Sequence, residues 1–581
     1  MRYGLIGNCK TCALIHETGA IDWCCLPNFD SPSAFARLLD PAGGTFQITL
    51  AGSCQLRQSY LPSTNILQTE FDDGENAFVL IDFMPRYREG EAHCRPVEIH
   101  RLLRPLRGHP VVRITYQPRL NYARGETVVK VREGVIVAMN ALEDIFLYSD
   151  LPLEGILADQ PVPLTMDHYC ILTYHEKLSM PTIGYALDML DKTKTYWDAW
   201  ANYCRLPAFG QDAALRSALT LKLMTFEDTG AIIAAPTTSL PEALNEGRNW
   251  DYRFCWLRDA SLLLEALKRI GHFGEAKAFI HFLLRLFESK QTKTQIVYSI
   301  DARSNLEEEI LPHLKGYRDS GPVRIGNNAW HTKQNDIFGE ILHTLYLFYV
   351  TYQFEPMNDE VWALVRFLVN TIAREWATED AGIWELRRQT AHFTFSKVLS
   401  WVALDRGIKI AEKLGKTYAA ESWRPIAAAI HQDIEAKGWN ADVGAFTQAY
   451  GSSHFDASLL LLERYGFLKR HDPRWIATVR LSETALACNG FTFRYTNPDD
   501  FGRPKNAFIV ASFWLAKALA SIGEDARART IFERVVAHAN PVGLLSEGVD
   551  PVTGELFGNF PQAYSHMALI NTAMVLGAEK G

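Results

Sequence analysis

Two short stretches each set one carboxylate among apolar or aromatic neighbours. The first reads Glu379, Asp380, Ala381, Gly382, Ile383, Trp384, Glu385, Leu386, Arg387; the second reads Gly543, Leu544, Leu545, Ser546, Glu547, Gly548, Val549, Asp550. A carboxyl beside a Trp in a water-poor pocket keeps its proton, as a general acid must. The apolar residues before Glu547 would anchor a second carboxylate on a pocket wall. Two carboxylates facing each other across a bound sugar are the minimum equipment for glycoside hydrolysis; their separation, which decides between retention and inversion, is not written in the spacing. From spacing alone, an acidic loop residue is more simply a solvated one. A third stretch runs Arg248, Asn249, Trp250, Asp251, Tyr252, Arg253, Phe254, Cys255, Trp256, Leu257, Arg258, Asp259. Aromatics alternating with an Arg/Asp pair offer stacking walls and bidentate hydrogen bonds to adjacent hydroxyls, as a hexose subsite needs. The same residues also read as a helix start, with Asp259 in the first turn and Arg258 in a buried ion pair.

The bulk composition narrows the class. A chain of 581 residues is too long for one ordinary core, so two domains are expected. With 48% hydrophobic and 22% charged residues it is globular rather than disordered. A net charge of -8 and the lack of a Lys/Arg-rich run argue against nucleic acid as a partner. The 14 Trp, 22 Tyr and 31 Phe are mostly core material, yet they include enough rings to wall a sugar site. The N-terminus lacks a basic segment followed by a long apolar one, and no apolar run nears membrane length, which predicts a cytoplasmic protein. Ten cysteines in so long a chain are expected to be thiols. Cys9 and Cys12 have zinc-like spacing, but the adjacent pair Cys24 and Cys25 suits tetrahedral chelation poorly, so no metal is expected.

Elements that could position these residues follow two periods. To about residue 190, stretches such as 46–50, 77–84, 111–118, 127–139 and 170–175 alternate and are separated by Gly, Pro and Asp turns, which predicts an antiparallel β-sandwich over 1–189. A linker helix is expected over 190–206. From 207 to 581 the period is helical, with twelve expected helices: 211–227, 257–271, 273–288, 334–353, 357–376, 394–414, 417–437, 454–465, 472–480, 506–522, 524–538 and 562–578. Twelve helices can pair into six hairpins closed as an (α/α)6 barrel. Without a fixed repeat length, an open solenoid is the weaker reading. The long connections 228–256, 289–333, 377–393, 438–453, 481–505 and 539–561 each lead into an even-numbered helix and would build a pocket on one face.

The chain resembles glycoside hydrolase family 15, the glucoamylases and their bacterial relatives, over nearly its whole length. The matching stretches are IGNCKTCALIHETGAIDWCCLPNFDSPSAFARLLD, PTTSLPE, RNWDYRFCWLRDAS, GIWELR, HFTFSKVLSWVALDR and LLSEGVDPVTGELFGNFPQAYSH. The resemblance implies a β-sandwich, a linker helix and an (α/α)6 barrel. It also implies Glu385 as general acid, Glu547 as general base activating water, and inversion at the anomeric carbon. Arg258 and Asp259 would bind the outer hydroxyls of the non-reducing-end glucose, with Tyr252, Trp256 and Trp384 as walls. Trp330, Gln334 and Asp336 reproduce a Trp-x-x-x-Gln-x-Asp spacing found near the acid, and Arg494 matches a substrate-binding Arg. Arg387 and Tyr564, inside matched stretches, complete the candidate contacts.

The expected function is exo-acting, glucoamylase-type release of β-glucose from maltodextrin or glycogen-like ends, with α,α-trehalose hydrolysis by the same acid and base as the alternative. A phosphorylase or a non-catalytic sugar-binding protein carries less weight, since Glu547 would repel phosphate and both carboxylates are present. Gly548, where relatives commonly carry a second acidic residue, and TNPDDFGRPKNAF after Arg494 depart from the family where a leaving-group sugar would sit. The expected partner is an α-glucoside, with no cofactor, metal, nucleic acid or membrane; a homo-oligomer stays open.

Overall fold

The computed structural model describes residues 1–288 and 294–578, so the first five residues of the expected 289–333 connection and the last three of the expected barrel lie outside the described residues. The N-terminal part is two antiparallel sheets. One orders Tyr3–Gly7, Cys12–His16, Ala20–Cys25, Thr45–Leu50, Val111–Gln117 and Val162–Pro163, with Ser33–Phe35 paired to Ala20–Cys25. The other orders Val128–Arg132, Val135–Met139, Asp144–Ser149, His168–Tyr174, Glu98–Arg107, Ala77–Phe83, Leu67–Asp72 and Gln55–Tyr60. Alternation decides which face is buried: in Thr45–Leu50, Phe46 and Ile48 are inside, and in Val111–Gln117, Val112 and Ile114 are. The expected strands are all present, and 127–139 is a hairpin.

Helix α1, Ile183–Asn202, starts seven residues before the expected linker helix, with Thr182 capping the amide of Tyr185. The helical part follows as α2 (Gln211–Leu223), α3 (Leu257–Arg269), α4 (Gly274–Glu288), α5 (Asp336–Tyr346), α6 (Asp359–Glu375), α7 (Thr394–Lys413), α8 (Thr417–Lys437), α9 (Pro473–Leu486), α10 (Ile509–Ser521), α11 (Asp525–Ala537) and α12 (Ala563–Leu576). The expected eighth helix is a correction: 454–465 holds only the 3-10 turn Ala457–Leu461. Its leucines are buried on every side, so the run carries no one-sided helical period, and the Asp456 carboxylate accepts from the amide and hydroxyl of Ser458, tightening the turn at its start.

Ring closure follows from packing: α3 packs on α5, α5 on α7, α7 on the 3-10 turn, that turn on α10, α10 on α12, and α12 back on α3. These inner elements are buried nearly all round; in α3 every residue from Leu257 to Leu267 is buried, and in α12 every one from Ala563 to Ala573. The outer helices bury one stripe each, as in α8, where Ala420, Trp423, Ala427, Ile430 and Ile434 face inward. The result is an (α/α)6 barrel whose fourth inner element is a short turn.

The sandwich grips the barrel beneath the sugar-site loop. Trp23 donates its indole N–H to the carbonyl of Pro236 at 2.7 Å, and Arg253, paired with Asp251, donates to the carbonyl of Ser31 at 2.8 Å. No described helix is long and apolar enough to cross a membrane. Cys9, Cys12, Cys24 and Cys25 are buried free thiols.

Candidate active site

The loops entering five of the inner elements converge on one pocket. Tyr252, Trp256, Arg258, Asp259, Trp384, Glu385, Arg387, Arg494, Glu547 and Tyr564 line it. All its described lining residues belong to the helical part of the chain.

Glu385 sits with φ +59°, a backbone state that L residues adopt at a cost and that tends to mark functional positions. Its Oε1 accepts from the Trp256 indole at 2.8 Å and lies 3.4 Å from an Arg258 guanidinium nitrogen. Burial raises its proton affinity; the Arg258 charge lowers it and Asp259 raises it. With Oε1 engaged by donors, Oε2 is the atom on which a proton can be carried.

Glu547 is 2% exposed, and its Oε1 accepts from the Tyr252 hydroxyl at 2.6 Å. It immediately precedes Gly548–Val549, the middle strand of a small ladder flanked by Ala507–Phe508 and Leu556–Phe557, and its carbonyl accepts from Ile509 at 3.0 Å. Gly558 has φ +78°, and a Cβ there would lie 2.6 Å from the Glu547 Cβ, so the turn tolerates only glycine. Burial pushes the Glu547 carboxyl up to about 8, the Glu242 charge adds to this, and the Tyr252 hydrogen bond and Arg494 charge oppose it. Glu242 is itself held by Arg494 at 2.7 and 3.3 Å. Both carboxyls have raised proton affinities in one pocket, each set by burial and by its own neighbours.

Arg258 and Asp259 match the helix-start reading of their stretch and lie at the pocket. They form a 2.7 Å ion pair in the first turn of α3, Arg258 also donates to the carbonyl of Ile383, and both line the pocket. The Tyr564 hydroxyl is buried without a protein partner while lining the pocket, as a ligand-facing donor would be. Trp384 is fixed by its indole N–H to both carboxylate oxygens of Asp456, each at 2.9 Å.

Three expected contacts lie elsewhere. Trp330, Gln334 and Asp336 are not among the described lining residues. The Trp330 ring lies tilted against His331 with centroids 3.5 Å apart, while Gln334 and Asp336 are buried at the start of α5. Burial pushes the Asp336 carboxyl up to about 8, against the opposing Arg258 charge.

Sequence reasoning missed Glu242, Arg248, Trp250 and the segment Asp499, Asp500, Phe501, all of which line the pocket. Glu242 ends the PTTSLPE stretch and Arg248 and Trp250 open the next, so their signal was present without a partner to interpret it. At the mouth, Asp499 binds Arg248 at 2.6 Å, Asp500 accepts from the amides of Arg387 and Arg388, and Phe501 packs edge-on against Trp250. Arg387 stacks on the same Trp250, 3.8 Å from its centroid.

Residues 208–574 match the family described as Glycosyl hydrolases family 15, and residues 1–151 match a Trehalase-like, N-terminal domain. A trehalase of Mycolicibacterium smegmatis is 35% identical, covering 100% of this chain and 91% of its own, and a trehalase of Thermoplasma volcanium is 33% identical, covering 98% and 92%. A crystal structure of a bacterial glucoamylase complexed with acarbose superposes with a TM-score of 0.73 at 13% identity over 99% of this chain and 94% of that one, which establishes the shared fold. A sandwich, a closed helical ring, a pocket holding two buried carboxyls and a family match across most of the chain agree on one conclusion: the chain belongs to glycosyl hydrolases family 15 and is a glycoside hydrolase.

Proposed function

We propose that the chain hydrolyses α,α-trehalose, with Glu385 as general acid and Glu547 as general base. The observation that carries this reading is the capped mouth: Asp499, Asp500 and Phe501 tie the loop after Arg494 to Arg248, to the amides of Arg387 and Arg388 and to Trp250. A pocket roofed in this way suits a disaccharide better than the end of a long glucan. Full-length similarity to relatives named trehalase supports the same choice. The glucoamylase-type reading expected from the sequence uses the same acid and base; the likeness to a glucoamylase structure speaks only for the fold.

In this mechanism Arg258 and Asp259 hold the hydroxyls of one glucose, and Tyr252, Trp256 and Trp384 wall its ring. Glu385 delivers the proton on Oε2 to the glycosidic oxygen as the C1–O bond breaks. Glu547 takes a proton from water, whose oxygen attacks C1 from the opposite face. One glucose leaves as the β anomer and the other retains its α configuration. Glu385 is left ionised and Glu547 protonated; exchange with solvent restores both.

The test measures glucose from trehalose and from maltotetraose, with the anomers resolved by proton NMR in the first minutes. Equal α and β glucose from trehalose, with little from maltotetraose, is expected. Turnover of maltotetraose alone would overturn the substrate, and initial α-glucose alone would overturn inversion.

A further inference from the structure

We propose that Asp500 is a positioning residue for the catalytic acid, one carboxylate that fastens the loop bearing Glu385 across the pocket mouth. The inference rests on the reading of Glu385 as the acid. The left-handed backbone of Glu385 is a strained state that persists only where the surroundings hold it. Before Glu385, the Trp384 indole is fixed by Asp456. At Glu385 the amide donates to the carbonyl of Gly382 at 3.1 Å, and the side chain is held by Trp256 at 2.8 Å. After it, the amides of Arg387 and Arg388 donate to a single atom, Asp500 Oδ2, at 2.7 and 2.9 Å. Nothing else described receives these two amides, and both residues are exposed, so without Asp500 these amides would be bonded to water, leaving the loop's backbone held by the bonds of Leu386 to Ala381 and of Ala391 to Asp380.

Asp500 can serve as an anchor because its own segment is immobilised. Asp499 accepts from Arg248 at 2.6 Å and from the Tyr495 hydroxyl at 2.5 Å, and from the amide of Phe501 at 2.7 Å. Phe501 meets Trp250, whose face carries the Arg387 guanidinium, which Glu308 holds from the other side at 2.7 Å. The anchor and the acid loop thus belong to connections entering two different inner helices, α10 and α7. Their bond buries no apolar surface. What it fixes is where the Glu385 Oε2 proton points, and a misplacement of about 1 Å can cost on the order of a hundredfold in rate.

A substrate whose leaving group needs no proton separates this role from a general loss of fold. Trehalose expels a sugar oxygen that must be protonated; α-glucosyl fluoride expels fluoride, which leaves unassisted. Asp500→Ala is expected to lower kcat on trehalose by about 10- to 100-fold, within the range a general acid contributes, with KM little changed. Hydrolysis of α-glucosyl fluoride by the same variant should stay within about threefold of the parent. Asp500→Asn, whose amide oxygen can still accept from both backbone amides, should recover most of the trehalose activity. The same selective loss should appear in Glu385→Gln. Equal losses on the two substrates, or an Asp500→Ala enzyme with full trehalose activity, would overturn the assignment. If the parent cleaves maltotetraose in place of trehalose, the substrate reading fails on its own, and the comparison with the fluoride is made on maltotetraose.

Discussion

Substituting Glu242 by Gln tests the electrostatics of the base directly. Glu547 is buried with a second carboxylate nearby, and after burial itself the Glu242 charge is the largest contribution pushing its proton affinity up, to about 8. A like charge at ion-pair range moves a buried carboxyl by one unit or more, and one unit corresponds to about 1.4 kcal/mol. Arg494 holds Glu242 at 2.7 Å and offsets part of its field, so the lower end, about one unit, is the appropriate magnitude. Gln keeps the volume, removes the negative charge and frees the Arg494 charge to act on Glu547; both changes lower the proton affinity of the base. The rising acid limb of kcat/KM against pH, which reports the free enzyme, should therefore move about one unit to lower pH. The assay is glucose release from trehalose at concentrations far below KM, from pH 4 to 9, read as the position of the limb rather than its height, because Glu242 also lines the pocket. Arg494→Met supplies the opposite sign: it removes a charge that lowers the Glu547 value, so its limb should move up. An unmoved limb, or both variants shifting the same way, would refute the assignment of that limb to Glu547.

Other outcomes follow from the same contacts. Glu385→Gln and Glu547→Gln should each lose several orders of magnitude in kcat on trehalose while circular dichroism and Tm stay near those of the parent; a full-activity variant would remove that residue from the mechanism. Tyr252→Phe deletes the 2.6 Å hydrogen bond that stabilises ionised Glu547, so its acid limb should move to higher pH with a fall in kcat. Asp336→Asn addresses stability: a carboxyl raised to about 8 on folding binds more protons folded than unfolded between about pH 4 and 8, so it destabilises the fold increasingly across that window. The variant should melt higher than the parent at pH 8, by an amount on the order of a few kcal/mol, and the gap should close toward pH 4.

The two periods and the six long connections were legible because each depends on residues close in sequence, whereas the two pocket carboxyls stood out only when their apolar neighbours were joined to the family resemblance. The inner helix α10, IVASFWLAKALAS, is apolar nearly all round and the outer α8 on one stripe, but the inner α3, LRDASLLLEALKR, carries charge within its buried length, so ring membership follows only in part from the text. The 3-10 turn at Ala457–Leu461 could not be, because four consecutive buried leucines carry no period that separates it from an α-helix. For Trp330, Gln334 and Asp336 the spacing is legible in the sequence, but their depth is not: Gln334 and Asp336 are buried at the start of α5, and none of the three is among the described residues lining the pocket. Glu242 and Asp499 were invisible for a different reason. Their partners, Arg494 and Arg248, lie 252 and 251 residues away, and a charge acquires a role only when folding delivers its counter-ion.

The two carboxyls are built in contrasting ways, and the contrast predicts how each fails. Glu547 is set by backbone: it abuts a three-stranded ladder, its carbonyl is bonded to Ile509, and Gly558 leaves room for its Cβ. Glu385 stands on a left-handed residue in a long loop and is held by side chains reaching from three other segments: Trp256 and Arg258 at the start of α3, Asp456 through Trp384, and Asp500. Gly558→Ala should therefore be a severe single lesion. The added Cβ would lie 2.6 Å from the Glu547 Cβ and 2.5 Å from Oε2, on a backbone at φ +78°, so the base must move or the turn must strain. Because that displacement removes the base, trehalose and α-glucosyl fluoride hydrolysis should fall together, since water must be activated for either leaving group. Lesions at the supports of Glu385 should spare the fluoride. A Gly558→Ala enzyme that folds and keeps fluoride hydrolysis while losing trehalose hydrolysis would contradict the placement of Glu547 as base, because the loss would then lie on the acid's side of the reaction.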